Sequence, residues 1–171
     1  AALSTAQTSA LSAAKLSQLT TSQTAALGAG SIAALTSDQA KNLTAGQVTA
    51  LTSLQVKSLQ ADNLAKLTTD QIRALTSTAV AVLGTDQLAA LTTIQASKLT
   101  SAQVTALSAT QLASISTANF ATLTSDGIAA LSTTQAKAMT SDQVKSMSTT
   151  QASSLTSSAL SVMTSSQVSA F

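Results

Sequence analysis

The chain has 171 residues, and 35 Ala, 28 Ser and 29 Thr make up more than half of them. Charged residues are 8% and aromatics 1%; His, Cys, Trp, Tyr, Pro and Glu are absent, and eight Lys and Arg face six Asp for a net charge of +2. This inventory excludes a disulfide framework, an imidazole switch and a soft-metal site, and a mean hydropathy of +0.31 argues against a disordered chain.

Read from the N-terminus, the chain is one repeat. Starting at Leu3, every eighth residue is large and apolar, through Leu11, Leu19 and Leu27 to Leu107. The series continues with Ile115, Leu123, Leu131, Met139, Met147, Leu155 and Met163, and reaches Phe171. Residues 3–170 are therefore 21 octapeptides without a linker, and residues 1–171 are expected to be a single repeat domain.

The first four octads are the least regular. Thr8 and Thr24 stand where later repeats have an apolar residue, Lys15 where they have Gln, and Gly28 where they have Ser or Thr. The pattern then settles. Leu35–Asn42 reads LTSDQAKN, Leu67–Ala74 LTTDQIRA and Leu99–Ala106 LTSAQVTA. Counting from the Leu, position 2 is Ser or Thr in 18 octads, the exceptions being Gly28, Gln60 and Gly84, and position 5 is Gln in 14. A hydroxyl followed three residues later by Gln is a capping box, in which each side chain satisfies the other residue's backbone N–H. The predicted boxes include Thr36 with Gln39, Thr68 with Gln71, and Thr100 with Gln103. Positions 1 and 6 then form the hydrophobic staple and face inward. Leu35, Leu43, Leu51, Leu67, Leu75, Leu99 and Leu107 at position 1 belong to this set, as do Val48, Ile72 and Val104 at position 6.

The charges agree with a helix in each octad. All six Asp occupy position 4, in the first turn, and seven of the eight bases occupy positions 7 or 8. The helix dipole favours this order. One continuous helix is excluded, because eight residues advance about 800° and successive Leu would drift by about 80°. The expected fold is all-α: a solenoid of about 21 short capped helices, about six or seven residues each, three or four to a coil. The alternative is a β-solenoid, since Thr and Val favour strands. The odd spacing of positions 1 and 6 and the scarcity of turn residues argue against it.

Chemistry has little to work with, and no enzyme activity, cofactor or metal is expected. Lys57–Ser58 and Lys145–Ser146 are the nearest approach to a nucleophile beside a base, but such neighbours are unavoidable in a chain so rich in Ser. Asp62 and Asp70 read as helix-start residues rather than a carboxylate pair. Asn42-Leu43-Thr44 is a glycosylation sequon whose Thr44 is also a predicted cap. The basic residues lack aromatic neighbours for base stacking, so nucleic acid is not an expected partner. No apolar run approaches the roughly 18 residues of a membrane helix. The opening AALSTAQTSA lacks the charged and apolar regions of a signal peptide.

Octads such as LTSDQAKN and LTTDQIRA resemble the L-T-x-x-Q repeats of large bacterial surface or secreted proteins of the adhesin and haemagglutinin kind. The resemblance spans the chain and implies an extracellular or cell-surface structural role. Neither end of the series looks like a polar cap, and an open solenoid end seeks another. The expected partner is therefore self: a subunit or segment of a bacterial filament or adhesin stalk, joined end to end. The alternative function is an ice-binding or adhesive surface made by the Thr column.

Overall fold

A computed structural model describes residues 3–171. The protein is all-α. Its 21 short helices run from Thr5–Ala10 to Ser165–Val168, with no strand among the described residues. They are four to six residues long, shorter than the six or seven expected, because the chain leaves the helical region before or at the next octad's first residue.

Each helix starts where an extended residue precedes it. Thr44 (φ −72°, ψ 157°) and Thr100 (φ −76°, ψ 159°) are examples at position 2. After a six-residue helix the next position 1, just before that cap, is extended too, as Leu51 (φ −62°, ψ 131°) after Ala45–Ala50. Two extended residues in succession turn the chain through a corner. The tight last turn is closed by a bond from the position-1 N–H to the position-6 carbonyl, as Leu51 to Val48 at 3.2 Å. No described residue has a positive φ. The corners therefore need neither Gly nor Asn, which is why a chain of so many turns contains few turn residues.

The chain divides into two compact units, Ala1–Ala90 and Leu91–Phe171, and the division falls between two octads. Within each unit, helices pack on the third helix after them. In the first, Ala29–Ala33 packs on Ser53–Ser58 and Ser37–Lys41 on Ala61–Lys66. In the second, Ser125–Ala129 packs on Thr149–Ser154. Each unit is thus a helical solenoid whose coil takes between three and four octads.

Leu35, Leu43, Leu51, Leu67, Leu75, Leu99 and Leu107 are buried, and so are Val48, Ile72 and Val104. Helices this short are unstable alone, so this burial along the coil axis is what holds them. Thr8 and Thr24, at inward position 6, are fully buried as well. Each hydroxyl donates to the carbonyl four residues back, Thr8 to Ser4 at 2.9 Å and Thr24 to Thr20 at 3.0 Å, and so enters the core already satisfied.

Candidate functional site

The most organised polar feature is the position-5 column. Its buried glutamines are Gln39, Gln47, Gln55, Gln71 and Gln87 in the first unit, and Gln95, Gln103, Gln111, Gln135, Gln143, Gln151 and Gln167 in the second. Gln55 shows the arrangement. Its backbone N–H donates to Thr52 Oγ1 at 3.3 Å, and its Oε1 accepts from Thr52 N–H at 2.7 Å. Its Nε2 donates to carbonyls of the preceding coil, Thr24 at 3.0 Å, Leu27 at 2.7 Å and, at the longer distance of 3.4 Å, Ala25. The same side chain therefore caps the start of its own helix and the end of a helix 28–31 residues earlier.

The rule repeats through the column. Gln39 donates to Thr8 and Leu11 carbonyls, Gln47 to Leu16 and Leu19, and Gln87 to Val56 and Leu59. In the second unit, Gln135 donates to Val104 and Leu107, and Gln143 to Leu112 and Ile115. In each of these the acceptors are a position-6 carbonyl, which also accepts the following position-1 N–H, and that position 1's own carbonyl; Gln151 instead uses the position-7 carbonyl of Ala121 with the position-1 carbonyl of Leu123. No buried side-chain nitrogen or oxygen lacks a partner among the described residues.

The substituted positions show which atoms matter. Asn63 and Asn119 still reach the position-1 carbonyl, Leu35 and Leu91 respectively, at 2.6 Å. The shorter side chain serves the coil below and forms no capping box with its own helix start, although Ser116 Oγ still accepts the Asn119 N–H at 3.2 Å. Ala79 and Ala159 are simply buried. At Gly127 an added Cβ would lie 3.4 Å from Val104 Cγ2.

Thr36 and Gln39, Thr68 and Gln71, and Thr100 and Gln103 each form both bonds of the box. Gly28 and Gln60 give no side-chain cap, and Gly84 only receives its half, donating its N–H to Gln87 Oε1 at 2.8 Å. The sequence reading missed the second job of the Gln. The available signal was the total absence of Glu, because a carboxylate fits a capping box equally well but cannot donate to a carbonyl.

The other candidates are dispersed. Ser58 Oγ donates to Leu54 carbonyl and Ser146 Oγ to Gln143 carbonyl, both at 2.8 Å, so each hydroxyl is turned to its own helix rather than to the neighbouring Lys. Asp62 and Asp70 lie in the first turns of separate helices. Among the described residues no three carboxylates are grouped to hold a metal ion, and no helix is long and apolar enough to cross a membrane. Asn42 Nδ2 donates to Asp38 carbonyl at 2.8 Å, while Thr44 Oγ1 accepts from Gln47 N–H at 3.1 Å. Lys98 lies just beyond its helix, Thr93–Ala96, whereas Lys41, Lys57, Lys66, Arg73, Lys137 and Lys145 lie in last turns. An open groove of about 350 Å³ runs past Lys57, Gln60, Gly84 and Asp86, where two successive coils both lack a cap hydroxyl.

No curated protein and no solved structure matches the chain. An ALTTAQ repeat family model matches it over residues 56–93, 64–101 and 112–149. All three stretches begin at position 6 of an octad, so the matches keep the octad register, and A-L-T-T-A-Q corresponds to position 8 followed by positions 1 to 5. Over these stretches the chain is similar to the ALTTAQ repeat family, and it is a repeat protein of helical-solenoid architecture.

Proposed function

We propose that the protein is a structural repeat module without catalytic activity, a subunit or segment of an extracellular bacterial filament or adhesin stalk that joins to others end to end. One observation supports this above the rest: coils are tied by side-chain amides bonded to backbone carbonyls. A backbone acceptor is present whatever the outward residues are, so the same contact can be added coil after coil. Stacking of this kind is heterologous, does not close, and leads to fibres. Sedimentation and electron microscopy of the purified chain at micromolar concentration test the proposal. Fibres or a concentration-dependent ladder of oligomers are expected, and a discrete monomer at all concentrations would overturn end-to-end joining.

A further inference from the structure

The groove past Lys57, Gln60, Gly84 and Asp86 lies where two stacked octads both give up a cap hydroxyl. Gln60 and Gly84 hold position 2 of Leu59–Lys66 and Leu83–Ala90, whose helices pack on each other. Neither omission is forced. Gly84 has the backbone of a Thr at this position (φ −70°, ψ 159°, against −72° and 157° at Thr44), and an added Cβ would meet Gln87 Oε1 at an ordinary 3.7 Å. Gln60 is extended too (φ −61°, ψ 141°), and Ser116 shows that a hydroxyl caps ahead of a position-5 Asn, accepting from Asn119 N–H at 3.2 Å. Cap stability is forgone and about 350 Å³ of open space is gained, a recurrent trade where a protein binds something.

The fold holds the groove in shape. Its buried wall is Gln87, whose amide is already spent: Oε1 accepts from Gly84 N–H at 2.8 Å, and Nε2 donates to Val56 and Leu59 carbonyls at 2.9 and 2.7 Å. These bonds fix one coil against Lys57–Gln60 of the other. The exposed groups left for a ligand are the Lys57 ammonium, the Asp86 carboxylate and the Gln60 amide. No aromatic ring lines the groove, which disfavours a nucleobase or a flat apolar ligand. We infer that it binds a carboxylated sugar, the unit of an acidic polysaccharide. Lys57 takes the sugar carboxylate, and Asp86 accepts from a pair of neighbouring hydroxyls. The Gln60 amide donates and accepts at once, as a polyhydroxyl ligand requires. The site does not depend on end-to-end joining.

Nuclear magnetic resonance of the full chain titrated with trigalacturonate tests the site, with maltotriose as the neutral control and triglutamate as the charge-matched one. Shifts are expected at the Gly84 backbone and Gln60 side-chain amides, with affinity at least about 10-fold above either control. Gly84→Thr should restore the cap and raise the denaturant midpoint while filling the groove, weakening trigalacturonate binding at least about 10-fold. A folding defect cannot produce that combination. Lys57→Met should abolish the preference over maltotriose. Four results would each overturn the site: no shift at Gly84 or Gln60 up to about 10 mM trimer, equal binding of triglutamate, wild-type binding by Gly84→Thr, or a preference that survives Lys57→Met. None of them bears on the filament role.

Discussion

At the residue scale, the fold depends on an amide at position 5. At its cap and amide Gln55 makes five hydrogen bonds, four through its side chain and one through its backbone N–H. Replacing it by Asn should preserve the bond to the Leu27 carbonyl, as Asn63 does for Leu35, and lose the box. A cost of about 1–2 kcal/mol in chemical denaturation is expected. Gln55→Glu is nearly isosteric yet places a carboxylate against two carbonyl oxygens, at a cost of about 3 kcal/mol or more at neutral pH. Burial without a cation raises that carboxyl's pKa. The folded state then holds the proton more tightly than the unfolded chain does. The variant should thus be most stable below the unfolded value of about 4.3 and lose stability as pH rises through the folded pKa. Denaturant midpoints at several pH values measure this, and a pH-independent deficit would refute it. Thr52→Ala removes only the hydroxyl acceptor and should cost about 1 kcal/mol.

At the scale of the helix, the octad is the unit that must remain whole. Its start is local: hydroxyl, Gln and the extended corner are all within a few residues. Its persistence is not local, since four to six residues cannot sustain a helix in water. Ile72, at position 6, is fully buried, whereas Ile94, at position 4, is 67% exposed. Ile72→Ala should therefore cost about 2–5 kcal/mol, and Ile94→Ala within about 0.5 kcal/mol of nothing. Deleting Leu51–Ser58 as a block leaves every later Gln facing a position-6 and a position-1 carbonyl. Deleting Ser58 alone leaves a seven-residue unit that cannot place cap, Gln and both inward residues together. The octad deletion should keep a single cooperative unfolding transition, and the single deletion should be the less stable of the two in the same denaturation assay.

At the scale of the whole molecule, stability in each unit is built from neighbouring coils, because helices pack on the third helix along and Gln bonds reach only 28–31 residues back. Such a stack opens from its ends. Backbone amides of the last coil, Val168 among them, should exchange with solvent faster than those of Leu112 or Ile128. Hydrogen exchange read by mass spectrometry would detect the gradient, and uniform protection would contradict nearest-neighbour stabilisation.

The sequence by itself determined the octad, the helix start, the inward residues and the exclusion of one long helix, because each depends on spacing within eight or sixteen residues. Capping boxes such as Thr36 with Gln39 are contacts of residues three apart, and periodicity encodes them directly. Only the tertiary structure decided what the Gln amides do with their second polar atom. The partners of Gln39, Thr8 and Leu11, lie a full coil away. Their distance follows from the corner angle, which two extended backbone residues set and no side-chain pattern records. The same angle decides that helices meet every third neighbour.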